Sequence, residues 1–410
     1  MAAWTTLLLA AAHGVPQHLG SAALPLLQWS QVGDTMSRER VTAISMDFGP
    51  DGFPVFACGW NSLDVGTRIP VMAWNGQSWV EVYHRTSQFP QSYREFDFKI
   101  RNNAYYLGLK IHNQFGSVLN GAVEWRGSYA FHNQLFDYEI DERGDMTMFW
   151  ISQRDSGGGY PGTNNELVII TYNASGWDGY PAGEEAFGEP VVIDRQNPRP
   201  ENVTVDEISD IHIKSVTTPA GVSSFILAWV NDGQISVASG TIAEGFTRIS
   251  LPDTMADTVS LATHGEHACI AYHPLPEILP TATASTEHGD VTVACADNYG
   301  RGTWSRLPGN ALTDADVVER LAVELTITEE GKVFVAGRKA DAPNTLAVRY
   351  ASLAPSASDA EEEEWAAVDL SADATMTHFE VQSHGNTVFA AVSEGDGEGL
   401  RVFGLLPLRD

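Results

Sequence analysis

Apolar and polar residues alternate along most of this chain, in short bursts rather than in helical stripes. In Val71–Val82, VMAWNGQSWVEV, an alternating run reverses at Asn75-Gly76 and resumes behind Trp79. A period of two puts successive side chains on opposite faces of a strand. Asn-Gly suits a tight hairpin because glycine accepts positive φ without steric cost, and Arg126-Gly127 is expected to turn the chain the same way.

Seven segments open with one grammar: a short alternating strand, a polar turn, then a more apolar strand. They begin at VTAISMDF, EFDFKI, LFDYEI, DIHIKS, TVSLATH, RLAVEL and MTHFEV. Third strands follow in RIPVMAW, LNGAVEW, ELVIITY, QISVASG, DVTVACA and TLAVRYAS. Fourth strands are expected behind an aromatic residue, at Trp79, Tyr129, Trp177, Phe246, Trp304 and Trp365. Four strands per unit, recurring at roughly 40 to 60 residues, predict an all-β chain folded as one β-propeller of seven four-stranded blades. The repeated position of the aromatic residues predicts that they pack between blades.

The seventh unit has only three strands. At the other end, LLQWSQVGD (Leu26 to Asp34) has the Trp-x-x-Val cadence of Trp79–Val82 and Trp365–Val368. Residues 26 to 34 are therefore expected to complete the last blade and close the ring. That assigns residues 26–410 to the propeller. Residues 1–25 contain MAAWTTLLLAAAHG, an apolar stretch with small residues at Ala10–Ala12 and Ser21–Ala23 that reads as a secretory signal, although no lysine or arginine precedes Arg38. A structural first strand is the other reading. The signal reading makes the protein secreted or cell-surface.

Two phrases extend the picture. CADNYGRGTW (Cys295 to Trp304) approaches an Asp-box, and Arg68-Ile-Pro70 matches the Arg-Ile-Pro of sialidases. On these residues the chain resembles secreted β-propellers with sialidase-like or Asp-box-like blades. The resemblance is architectural: the Asp-box spacing differs by a residue, Arg68 leads into an outer hairpin, and no set of three arginines stands ready for a substrate carboxylate.

Composition narrows the partners. Fifty-three acidic residues against 24 basic ones give a formal charge of -29. Such a surface repels phosphate backbones, so nucleic acid is excluded as a general partner, and no stretch after the amino terminus is long and apolar enough to insert in a membrane. A monomer is expected. Three cysteines cannot build a disulfide framework. Cys58 reads as a buried thiol; Cys269 and Cys295 fall on neighbouring strands that could bridge, with free buried thiols the expectation.

Candidate chemistry concentrates on the innermost strands, which surround the central channel. Polar residues at i and i+2 share a strand face: Asp97 with Lys99, Asp137 with Glu139, His212 with Lys214, His378 with Glu380, and Glu324 beside them. The mixture of signs lines a wet channel without isolated charges. Asp137 and Glu139 are the best acid–base pair. His264-Gly-Glu-His267 falls at a turn and lacks the helical spacing of a zinc peptidase. No cofactor is expected, with calcium left open by the acidic turns Glu394–Gly399 and Asp141–Asp145. The long insertion Asp155–Glu166 carries Tyr160 towards a loop face. Together these predict a non-catalytic propeller that binds a glycan or protein through its loop face. The alternative is a carbohydrate-active hydrolase or lyase using channel carboxylates.

Overall fold

The computed structural model describes residues 27–407, apart from 38–40, 63–65, 88–94, 102–103, 111–116, 121–122, 127–135, 142–143, 153–165, 173–190, 196–207, 219–222, 232, 257, 275–289, 314–317, 354–364 and 396–398. Seven antiparallel sheets account for the strands among these residues. The first sheet runs Val41–Phe48, Pro54–Ser62, Gly66–Trp74, Trp79–Ser87, in order from innermost to outermost. The next five begin with the inner strands Glu95–Arg101, Phe136–Ile140, Ile208–Thr217, Val259–His264 and Val318–Ile327. The seventh begins with Met376–His384. Each inner strand lies against those of the blades before and after it, and the seventh returns to the first, so the ring closes.

Closure uses both ends of the chain. Leu27–Gln31 pairs antiparallel with Gly399–Pro407, placing Leu27 opposite Pro407 and Gln31 opposite Phe403. Met36–Ser37 then pairs with Leu400 and Gly399 of the same strand. Between them Gly33 takes φ 72°, and a Cβ there would meet the Trp74 ring and come within 2.9 Å of Trp79 Nε1, so only glycine lets the chain pass beneath these indoles.

The core is divided among the blades. Seven apolar clusters lie one at each interface between neighbouring sheets: for example Val216, Ile226 and Val237 of the fourth blade meet Val259, Ile270 and Tyr272 of the fifth. Each sheet therefore buries both faces, which explains why second strands such as SSFILAWVN read as nearly continuous apolar runs.

The outer tryptophans pack between blades. Trp79, Trp304, Trp365 and Trp29 lie against the clusters at interfaces seven–one, four–five, five–six and six–seven. Three of them also donate an indole N–H to the outer backbone of the preceding blade: Trp79 to Val32 O (3.0 Å), Trp29 to Val368 O (2.7 Å) and Trp365 to Pro308 O (3.0 Å). Val32 and Val368 are the valines of the Trp-x-x-Val phrase itself.

Three local expectations differ. In the second blade the third and fourth strands are Ser117–Asn120 and Val123–Arg126, with Asn120 opposite Val123. The reversal therefore precedes Arg126-Gly127, and the stretch read as one strand is a hairpin; Tyr129 lies outside the described residues. In the third blade the fourth strand is Val191–Arg195, not a strand behind Trp177, which also lies outside the described residues. Its predecessor Glu166–Tyr172 is followed by a long Gly- and Pro-bearing connection that hid the boundary. Finally, Cys269 and Cys295 are bridged rather than free: they stand directly opposite each other on adjacent strands of the fifth blade, Cα atoms 4.1 Å apart. Cys58 is buried, as expected, and takes no part in a disulfide. The Asn75-Gly76 turn forms as expected, with the Asn75 carboxamide oxygen accepting the N–H groups of Gln77 and Ser78, both at 2.9 Å.

Candidate functional site

The innermost strands are stitched together by acidic side chains. Asp47 Oδ1 accepts the N–H of Phe48 (2.8 Å), while Oδ2 accepts that of Ile100 on the second blade (2.7 Å). Asp137 repeats this with Tyr138 (2.8 Å) and Ile213 of the fourth blade (2.8 Å). Asp210 repeats it again with Ile211 (3.0 Å) and Val259 of the fifth blade (3.0 Å). Each aspartate lies between strand residues, so one carboxylate oxygen satisfies its own strand and the other reaches the next. At the closing seam the Glu380 carboxyl accepts the Met46 N–H of the first blade and, at 2.6 Å, the Gln382 carboxamide N–H.

A buried ion network joins the first four blades. Lys99 Nζ lies 3.1 Å from Glu139 Oε1 and 3.0 Å from Asp97 Oδ2, above the Tyr138 ring. Burial works against the Lys99 charge, but Asp97, Glu139 and Asp137 overcome it and hold the ammonium well above its usual range. Glu139 also accepts from Ser215 Oγ (3.3 Å) and lies 3.7 Å from Arg101, which pairs with Asp47 at 3.0 Å. Arg101 is likewise opposed by burial yet raised by Glu139 and Asp47. Tyr138 donates its hydroxyl to Asp97 O (3.2 Å), and burial together with Asp97 pushes its ionisation well above the ordinary range.

The opposite side of the channel is arranged differently. The Glu324 side chain makes no hydrogen bond or ion pair among the described residues. It keeps partial exposure on the innermost strand of its sheet. Burial pushes its carboxyl up to about 7; His212 and Lys214 pull it back, while Asp97 and Asp210 add to the rise. Glu380 on the neighbouring inner strand is raised well above the carboxyl range by burial and then by Glu324 and Asp97. His212 Nε2 is 3.2 Å from Asp210 Oδ1, and its Nδ1 is 4.0 Å from Asp137 Oδ2.

Asp97, Asp210, His212, Lys214, Glu324 and Glu380 thus come from four inner strands and act on one another. His378 stands apart: burial and Arg338 lower its pKa, and its Nδ1 is buried without a partner. Tyr160 lies outside the described residues. The sequence expectation for Asp137 and Glu139 needs correcting in one respect: both are engaged across blade boundaries and do not stand as a free acid–base pair. Asp47, Arg101, Asp210 and Ser215 were not singled out, although the aspartate between strand residues in MDF and SDI matches that in FDF and FDY.

His264 and His267 face each other at the ends of a tight hairpin. The Asp141 carboxylate accepts the Asp145 N–H at 2.9 Å inside its turn. The Glu394–Gly399 turn lies partly outside the described residues, and among the described residues no three metal-ligating side chains cluster.

No family model and no curated protein matches the chain. Solved structures do. Kuenenia stuttgartiensis hydrazine synthase superimposes with a TM-score of 0.56 at 10% identity, covering 90% of this chain and 96% of that one. The Myceliophteria thermophila Cps50 (Swd1) β-propeller domain gives 0.52 at 8% identity over 93% and 100%. The fold is a β-propeller. The Neurospora crassa Pan2 WD40 domain agrees, at 0.51 and 10% identity over 93% and 96% of the two chains. At such identities the likeness concerns the propeller fold alone. No helix among the described residues is long and apolar enough to cross a membrane.

Proposed function

We propose that this propeller is a non-catalytic binding module, monomeric and secreted or displayed at the cell surface, that takes a glycan or a protein partner on its loop face. The observation that carries this reading is the engagement of the channel carboxylates. Glu139 is held by Lys99 and Ser215, and Asp47, Asp137, Asp210 and Glu380 each receive a neighbouring blade's N–H. Carboxylates committed to holding the ring are poorly placed to exchange protons with a substrate, which leaves recognition to the connections at the blade ends, Tyr160 among them. The Cys269–Cys295 bridge favours an oxidising compartment.

The second reading, a glycoside hydrolase or polysaccharide lyase, draws on one observation: Glu324 is raised to about 7 beside Glu380, as an acid working near neutrality would be. A panel of glycosides, polysaccharides and immobilised glycans, assayed for turnover and for binding, separates the two. Binding without turnover, unchanged in Glu139→Gln, is the expected result. Turnover abolished in Glu139→Gln or Glu324→Gln, with the melting temperature retained, would replace the first reading with the second.

A further inference from the structure

His212 stands between two of the aspartates that clasp the inner strands. Its Nε2 is 3.2 Å from Asp210 Oδ1 and its Nδ1 is 4.0 Å from Asp137 Oδ2. Asp210 lies two residues back on the same strand face, whereas Asp137 belongs to the third blade. Both carboxylates also hold a strand of the following blade: Asp137 Oδ2 takes the Ile213 N–H at 2.8 Å, and Asp210 Oδ2 takes the Val259 N–H at 3.0 Å. One imidazole thus reaches the carboxylates that close two consecutive seams, three–four and four–five.

This placement suits the charged ring and not the neutral one. A neutral imidazole has one N–H and one lone pair, so in either tautomer it turns a lone pair towards one of the two carboxylates. The imidazolium donates from both nitrogens and meets both. Among the other groups around it, Lys214 opposes the charge, Glu324 of the sixth blade favours it, and Glu139 of the third is already matched by Lys99. The flanking strands Ser223–Asn231 and Val259–His264 carry no titratable side chain except His264 at the far end. The His212 side chain is 32% exposed, so protons can reach it. His378 of the seventh blade is the contrast: burial and Arg338 disfavour its charge.

We propose that His212 is a pH-operated bolt: when its imidazole takes up a proton it ties Asp137 to Asp210 and locks the third, fourth and fifth blades together, and when the proton leaves the two seams loosen. The proton comes from solvent and returns to it, and no bond other than the ring N–H forms or breaks. Folding brings Asp137 up to the ring and fixes Asp210 beside it, so the folded state favours the proton more than the unfolded chain does. The resulting stabilisation is present at acidic pH and is lost as pH rises through the titration of His212. The bolt works whatever partner the loop face takes.

The test is amide hydrogen exchange on the full chain at pH 5 and pH 8, corrected for the intrinsic pH dependence of exchange. In the wild type, protection of Ile213 and Val259 should be about 3- to 10-fold higher at pH 5, tenfold being the equivalent of one unit of titration shift and the lower figure allowing for screening at a partly exposed ring. Ile100, clasped by Asp47 at the first seam, is the internal reference and should not share this gain. His212→Gln keeps a neutral donor but cannot take up the proton, so in it the gain at Ile213 and Val259 should vanish. A nuclear magnetic resonance titration of the His212 ring in the wild type carries the test if His212→Gln fails to fold; its midpoint should lie on the alkaline side of a free histidine. Equal gains in wild type and His212→Gln, a gain at Ile100 as large as that at Ile213, or a midpoint at or below that of a free histidine would overturn the proposal.

Discussion

The indole N–H of Trp29 donates to the carbonyl oxygen of Val368 at 2.7 Å, across 339 residues of sequence. Trp29 belongs to the strand that completes the seventh blade, and Val368 lies in the outer part of the sixth. The contact fastens the amino-terminal strand to a blade other than its own. Trp29→Phe keeps an aromatic ring while removing the donor and part of the packed indole, so it should cost at least about 1 kcal/mol in urea unfolding. Trp29→Ala also removes the packing against the six–seven cluster and should cost more. Equal stability of Trp29→Phe and wild type would show that neither the bond nor the lost part of the indole contributes.

The aspartate clasps make a sharper prediction. Asp137→Ala leaves the N–H groups of Tyr138 and Ile213 without their acceptor, each worth about 1–3 kcal/mol when buried. Asp137→Asn keeps one carbonyl acceptor and should lose less. Hydrogen exchange at Ile213 should accelerate in both, more in the alanine variant; unchanged protection would mean that another group carries that N–H.

Glu324 predicts a pH dependence opposite to that of paired surface carboxylates. Its folded pKa of about 7 lies above the ordinary 4.5, because burial disfavours the charge. The folded protein therefore binds this proton more tightly than the unfolded chain. The resulting stabilisation is fully present below pH 4.5 and is lost as pH rises through 7, amounting to about 3 kcal/mol at most. Glu380, raised in the same direction, extends the loss upward in pH. Asp369, whose carboxyl is lowered by Lys339 and Arg349 against its own burial, works in the opposite sense. The clean measurement is thus the difference between wild type and Glu324→Gln: the variant should gain relative stability from pH 5 to pH 8. A pH-independent difference would place Glu324 in ordinary solvent.

Reduction of the Cys269–Cys295 bridge should destabilise the fifth blade. The cysteines are 26 residues apart, and a loop of that size predicts about 3 kcal/mol from chain entropy. Cys269→Ala/Cys295→Ala should unfold at lower urea with no further response to reductant. A wild type indifferent to reductant would indicate that the thiols are not paired in solution.

The repeat was legible because each sheet presents the same pattern of turn and strand residues, and because Trp-x-x-Val marks outer strands wherever the connection before them is short. It failed at Trp177 and Tyr129, where long connections of turn-forming residues carry no period. The channel residues could be found as polar interruptions in apolar strands. Their division of labour could not: Asp137 and Glu324 look alike in sequence, and only register against the next blade shows that one clasps Ile213 while the side chain of the other clasps no strand among the described residues. The bridge of Cys269 to Cys295 depended on register too, since a one-residue slip would place the two sulfurs on opposite faces.

Ring closure by Leu27–Gln31 also sets a timetable for synthesis. This strand leaves the ribosome well before its partner Gly399–Pro407. At about 5–20 residues per second, some 370 residues of translation keep Trp29 without its place for roughly 20–75 s. During that interval the nascent chain is a string of stacking sheets with one open side at each end. A chaperone that shields the 27–37 segment during this interval would therefore protect the edge that the last blade needs for closure.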